Sequence, residues 1–278
     1  MTITLLGANE IRQIAQELDL YPKKSLGQNF VIDGNTCQKI VRLAGVTQGD
    51  HVVEIGPGLG SLTLAILQQT DSVTVIEIDQ RLASRISQTV TEHGAGKLNV
   101  MNVDALGVRD IAGSPNKLVA NLPYNVSVPV LLHFLERFPT INSGIVMVQS
   151  EVADRLAATP GSKNYGAPSA KAAWWSDVSL SDSVSRKVFW PIPNVDSSLV
   201  AFKRHEPLGD EALRKATFKV IDLAFGKRRK MLRAALAELF SSSAAAESAL
   251  KEIDIDPTLR GESLSVNDFL RIAKLVTK

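Results

Sequence analysis

Apolar positions along the chain recur with two periods, and the alternation between them predicts most of the elements. Ile11, Ile14, Ala15 and Leu18 stand at i, i+3, i+4 and i+7, which predicts a helix over 9–19. Residues 21–31 have no period and hold proline, glycine and two lysines, which predicts a loop. From Asp33 onward, Cys37, Ile40, Val41 and Ala44 line one face of a second helix, making Cys37 a core residue. Val52–Ile55 reads as a short buried strand, and Thr63, Leu64, Ile66 and Leu67 follow it on a helix. Further strands are predicted at 72–79, 98–104, 117–121 and 144–149, with helices at 80–92, 127–138 and 151–158. Strands alternating with helices at this pace predict an α/β fold with a parallel, doubly wound sheet.

The later chain breaks that rhythm. A loop is predicted over 159–166 and a helix over 169–176. Strand-like stretches at 177–188 and 195–203 flank the prolyl segment Phe189–Asn194, which predicts an antiparallel hairpin at the sheet edge. Beyond Arg204 only helical faces occur. Leu213, Ala216, Val220 and Leu223 form one, Gly226 interrupts, and Met231, Leu232, Ala235, Leu236 and Leu239 form the next. Ser265 to Asp268 has the form of a capping box ahead of Phe269, Ile272, Ala273 and Val276. A boundary near Glu206–Gly209 separates a 1–205 domain from an all-helical 206–278 domain.

Composition narrows the class. A chain of 278 residues, 45% hydrophobic, can bury a full core. One cysteine excludes an intrachain disulfide, and four scattered histidines have no metal-ligand spacing, so no metal is expected. No apolar run approaches the roughly 18 residues of a membrane span, and Met1–Leu6 lacks the pattern of a signal peptide. A cytoplasmic monomer without a membrane partner is expected. The net charge is only +2, yet Lys203–Arg233 holds ten Lys/Arg against four Asp/Glu. Such a local surplus suits a polyanionic partner. Its densest part is Lys227, Arg228, Arg229 and Lys230, whose adjacent charges would wrap a helix turn. Cations of that kind give affinity to a nucleic-acid backbone without reading its sequence.

The candidate chemistry starts at the first strand. Gly56, Gly58 and Gly60 turn the chain from strand to helix, as in a nucleotide-cofactor cradle. Their G-x-G-x-G spacing leaves dinucleotide and S-adenosylmethionine (SAM) enzymes both open. Glu77 follows Gly56 by 21 positions at the end of the next strand, where an acid reaches ribose hydroxyls. Asp104 ends the third strand and can accept from an adenine amine, although a strand-end Asp also serves as a helix cap. Asn121-Leu122-Pro123-Tyr124 ends the fourth strand and points to the reaction class. An aromatic amine is a poor nucleophile, because its lone pair is delocalised into the ring. The Asn121 side-chain oxygen and the Leu122 carbonyl can accept the two N–H protons without acting as bases. Tyr124 supplies an aromatic face for the base. Phe189 or Trp190, in a loop restricted by two prolines, is a candidate aromatic wedge for a flipped base.

With these residues in view, the chain resembles the KsgA family of small-subunit ribosomal RNA adenine dimethyltransferases. The resemblance spans nearly the whole chain. It rests on Lys24–Phe30, Glu54–Gly60, Asn121–Tyr124, Gln149–Leu156, Pro160–Gly166, Phe189–Ser197 and Phe225–Lys230. It implies SAM-dependent dimethylation at N6 of two neighbouring adenosines in a hairpin near the 3′ end of 16S rRNA, on an assembling small subunit. It also implies a SAM-type Rossmann sheet with a reversed late hairpin and a helical C-terminal domain that binds rRNA. Cofactor contacts would fall on Asn29, Val31, Gly56, Glu77, Asp104 and Asn121, with Gly58 in the glycine turn. Asn121, Leu122 and Tyr124 would grip the adenine with Phe189 against its face. A large-subunit rRNA methyltransferase of the resistance type and a non-catalytic RNA-binding factor are the alternatives. Ser150, where a lysine is common, and Trp174-Trp175 depart from the pattern, and the default for the tryptophans is a packed core.

Overall fold

The computed structural model describes residues 2–20, 29–96, 98–227 and 229–277. The chain runs α1 (Ala8–Glu17), β1 (Phe30–Val31), α2 (Gly34–Leu43), β2 (His51–Ile55), α3 (Ser61–Leu67), β3 (Ser72–Ile76), α4 (Gln80–Glu92) and β4 (Asn99–Met101). It continues with β5 (Lys117–Asn121), α5 (Ser127–Arg137), β6 (Ser143–Gln149), α6 (Ser150–Leu156), α7 (Ala167–Ala172), β7 (Ser176–Val184), β8 (Phe189–Trp190) and β9 (Ser197–Arg204). Four helices complete it: α8 (Glu211–Gly226), α9 (Leu232–Ala235), α10 (Ser243–Glu252) and α11 (Val266–Val276).

Seven strands form one sheet in the order β4-β3-β2-β5-β6-β9-β7. The first five are parallel, and β9 runs antiparallel to β6 from Ser143↔Lys203 to Gln149↔Ser197. The predicted α/β sheet with a reversed late strand is therefore observed. The interior strands are apolar because both of their faces are covered. Val52, Val53, Leu118, Val119, Ala120, Val146 and Met147 all have no exposed surface. Cys37 lies in this core, and burial pushes its thiol pKa well up, so the thiol stays protonated.

Parallel pairing brings the C-terminal strand ends level. Ile55 faces Ile76, Ile76 faces Met101, and Val53 faces Leu118. Residues just beyond β2, β3, β4 and β5 therefore collect along one sheet edge. This is the position of a ligand crevice in an open α/β sheet. A second, two-stranded sheet was not visible in the sequence. In it β1 pairs antiparallel with β8, through Phe30↔Trp190 and Val31↔Phe189.

Contacts divide the chain into two compact units, 1–153 with 180–204, and 154–179 with 205–278. The helical unit is not the expected 206–278: it begins at His205, and 154–179, expected in the first domain, packs with it. Within that unit Trp174 and Trp175 meet Phe218 edge-on at 6.1 and 5.4 Å, and Tyr165 meets Phe225 at 5.8 Å. The double tryptophan is thus packed core. Its α11 starts with the expected capping box, in which Asp268 N donates to Ser265 Oγ and Ser265 N donates to Asp268 Oδ2.

Gly144 marks where the sheet tolerates no side chain. A Cβ there would stand 2.1 Å from the Leu118 carbonyl oxygen and 2.7 Å from the Phe202 ring. Gly144→Ala is expected to destabilise the fold by about 1–3 kcal/mol or more, as overpacking against backbone does. Urea unfolding should show a lower midpoint at unchanged slope.

Candidate active site

Two cavities open at the C-terminal strand ends and share a wall of Gly56, Glu77, Ile78 and Pro123. The first is also lined by Asn29, Phe30, Val31, Glu54, Gly58 and Asn121. The second is also lined by Asp104, Ala105, Leu106, Asn125, Val126 and Val130. Together they form a bent cleft with Glu77 at its middle. All seven expected cofactor residues lie on its walls, with Asp104 at one end and Asn121 toward the other.

The glycine turn makes room for the first cavity. Gly58 has φ +57°, and a Cβ on it would press into the Phe30 ring at 2.9 Å. Its N–H donates to Glu77 Oε2 at 3.3 Å, while Asp79 N donates to Glu77 Oε1 at 3.0 Å. Glu77 is nearly buried, and burial raises its pKa against the opposing pull of those N–H donors. Asp104 uses Oδ1 to accept from Leu106 N at 2.9 Å, so it is a cap. It lines the second cavity as well.

Asn121 is oriented by a group that can only accept. Its Nδ2 donates to the Asn29 carbonyl oxygen at 3.3 Å. Since a carbonyl has no proton to offer, the amide nitrogen must face it, and Oδ1 is turned to serve as an acceptor. Leu122 is buried behind, with its N–H donated to the Met147 carbonyl at 3.1 Å. The Tyr124 hydroxyl is tied to Ser197 Oγ at 2.8 Å, and burial raises its pKa, which keeps the phenol neutral. Neither Leu122 nor Tyr124 lines the two cavities; both belong to the turn that follows Asn121.

Phe189 does not present an open aromatic face. It has no exposed surface and packs in the main core, because alternation along the two-residue β8 sends Phe189 inward and Trp190 outward. Trp190 is half-buried and stacks on Phe30, with centroids 6.3 Å apart. The basic run differs too. Helix α8 ends at Gly226, so Lys227, Arg229 and Lys230 are exposed in the turn beyond it, not around a helix. Lys227 reaches Glu238 at 3.7 Å, and Arg228 lies outside the described residues, as does the segment 21–28. Among the described residues no group of His, Cys, Asp and Glu could hold a metal ion. No described helix is long and apolar enough to cross a membrane.

Wall residues that the sequence did not single out as site residues include Phe30, Ile78 and Glu54. Ile78 is 59% exposed at the shared wall, an apolar surface left open in the cleft. Glu54 had a signal, since it is the one acid inside an otherwise apolar strand. It is fully buried, accepts from Thr63 Oγ1 at 2.6 Å, and desolvation pushes its pKa up to about 8. Between the ordinary carboxyl range near 4.5 and about 8 the folded chain holds a proton that the unfolded chain has released. This contribution to stability is complete below that window and is lost as pH rises through it. Glu54→Gln, which keeps the acceptor for Thr63, should remove the dependence. The stability difference between parent and variant should shift by up to about 1.4 kcal/mol per pH unit inside the window and be flat below it, read by urea unfolding at stepped pH.

The residues fit SAM. A glycine turn crowded by Phe30 leaves space only where Cβ is absent. A carboxylate stands where two ribose hydroxyls would donate, and apolar Ile78 and Pro123 border it.

Comparison with known proteins identifies the family. The family model for ribosomal RNA adenine dimethylase matches residues 21–278. The chain is 55% identical to ribosomal RNA small subunit methyltransferase A of Leifsonia xyli subsp. xyli, over 98% of each chain. It is 52% identical to the protein of the same name from Thermobifida fusca, over 97% of this chain and 96% of that one. Among solved structures it resembles a dimethyladenosine transferase from Plasmodium falciparum, with TM-score 0.74, 25% identity, and 86% and 94% of the two chains covered. It shares its fold with the 23S rRNA methyltransferase ErmE, with TM-score 0.67, 24% identity, and 90% and 100% covered. A match that begins at residue 21, takes in the glycine turn, the Asn121 turn and the basic run, and reaches the last residue makes the chain a member of the ribosomal RNA adenine dimethylase family.

Proposed function

We propose that the chain transfers methyl groups from SAM to N6 of two adjacent adenosines in the hairpin near the 3′ end of 16S rRNA, on an assembling small subunit. The single observation that carries this reading is the Asn121 amide, turned by the Asn29 carbonyl so that Oδ1 is an acceptor at the cofactor cleft. The name shared by the Leifsonia and Thermobifida proteins, ribosomal RNA small subunit methyltransferase A, supports the small-subunit assignment.

Glu77 would hold the ribose hydroxyls and Asp104 the adenine amine of SAM. Asn29, Val31, Gly56 and Gly58 would enclose its amino-acid end. Bound SAM supplies a methyl group already activated on a sulfonium. What the chain must do is orient the acceptor nitrogen. Asn121 Oδ1 takes one N6–H and the Leu122 carbonyl the other, which draws the lone pair out of conjugation and toward the methyl carbon. SAM, when bound, would supply the methyl carbon and keep the S–C bonding pair as a neutral thioether, and the surplus N6 proton would pass to solvent. Tyr124 stacks on the target base, held in place by Ser197. Phe189 supports the prolyl loop from within the core, a role that takes the place of the expected stacking. Lys227, Arg228, Arg229 and Lys230 contact rRNA phosphates.

The reading is tested by mapping methylated adenines on unmethylated small and large subunits incubated with the chain and labelled SAM. Two adjacent dimethyladenosines near the 3′ end of 16S rRNA are expected. Label confined to large-subunit RNA, or no label, would overturn it. Asn121→Ala should cut transfer by about 100-fold or more while RNA binding is kept, since it removes an acceptor aimed at the reacting group. Glu77→Ala should weaken SAM binding about tenfold or more in calorimetry, the scale of a lost charged hydrogen bond.

A further inference from the structure

The prolyl loop between β8 and β9 carries an exposed apolar tip. Ile192 is 63% exposed and Val195 43% exposed, while Pro193 between them is buried. A single exposed isoleucine is ordinary on a protein surface. This one differs in how it is held and in where it stands.

It is held from both sides. Arg186 Nη1 donates to the Asn194 carbonyl at 3.0 Å, and Arg186 N donates to Asp196 Oδ1 at 3.0 Å. Ser150 N donates to the Asp196 carbonyl at 3.0 Å. The flanking prolines restrict the backbone on each side of Ile192. The tip therefore cannot fold back to bury itself, and water must solvate it whenever no partner covers it.

Its position follows from the residues at the two ends of the loop. Trp190 stacks on Phe30, the ring set against Gly58 in the cleft wall. Ser197 holds the Tyr124 hydroxyl. Ile192 is two residues from the first anchor and Val195 two from the second. Each is thus within about 7 Å of chain from a residue that touches the site. Arg186 and Lys187, both exposed, stand beside the tip and suit phosphates.

We propose that Ile192, backed by Val195, is an apolar wedge that fills the gap in the RNA stack when the target adenosine turns out into the Asn121–Tyr124 site. The inference rests on the function proposed above. Base faces are the apolar surface an RNA offers, and a base leaves its stack only at the cost of its contacts there. A side chain that takes over those contacts offsets part of that cost, as apolar wedges do between unstacked base steps. Two adjacent targets make the demand sharper, because turning out one adenosine uncovers the face of the other.

The test uses the full chain and small subunits assembled from unmethylated rRNA. One set is intact, and the other has an abasic residue beside the target adenosine, so that the target is already unstacked. Ile192→Ser is a surface change and should leave SAM affinity and the unfolding midpoint as in the parent. It should lower kcat/KM about tenfold or more on intact subunits and less than about twofold on the abasic ones. Equal losses on both substrates would overturn the wedge and leave Ile192 a general contact. Unchanged rates on both would overturn it and leave the tip to a protein partner. Absence of methylation by the parent chain on intact subunits would overturn the function reading, and the wedge with it.

Discussion

The absent Cβ at position 58 is the constraint on which the cleft depends. It admits the Phe30 ring to the glycine turn, and the N–H beside it fixes one oxygen of Glu77. Through Phe30 the same point fastens β1, and through β1 it fastens β8 and the prolyl loop. A side chain at 58 would therefore do more than crowd a ligand. It would push on the strand that presents the Asn29 carbonyl to Asn121, and so disturb the cofactor wall and the acceptor together.

The cleft also places two carboxyl groups close to one another under different conditions. Glu77 sits at a strand end, where burial raises its pKa and backbone N–H donors oppose that rise. Glu54, in the same wall, is more fully buried and accepts from a threonine hydroxyl, and burial favours its neutral form. Each group's charge raises the pKa of a neighbour, so a proton on the deeper acid spares the outer one that repulsion. A carboxylate of the kind proposed here for ribose hydroxyls is easier to maintain beside a neutral group than beside a second anion.

Much of the α/β unit was legible because its strands are covered on both faces. Apolar runs bounded by turns predicted β5 and α4 with the bounds observed, and β6 within one residue. The two-residue strands β1 and β8 were not legible, since two residues carry no period. They decide how Phe189 faces, which is why an aromatic expected in the open is in the core. The helical unit was legible as helices but not in its extent. Local periodicity shows that Trp174 and Trp175 are apolar and does not show that they meet Phe218. Candidate residues at strand ends were found because parallel topology fixes where those ends lie. Ile78 was missed because an exposed apolar residue has meaning only once the cavity around it is known.

The hold of the Asn29 carbonyl on Asn121 has a consequence for how this site ages. Side-chain amides hydrolyse slowly to acids, and aspartate has the same outline as asparagine. A carboxylate only accepts hydrogen bonds. At 121 it would set lone pair against lone pair at the Asn29 oxygen, and the group would swing away from the cleft. One exchanged atom, with no change of shape, would thus silence the proposed chemistry while the fold stood. The bulky Leu122, buried directly after it, hinders the ring closure through which such hydrolysis runs. The same residue that would lend its carbonyl to the reaction also guards the durability of its partner.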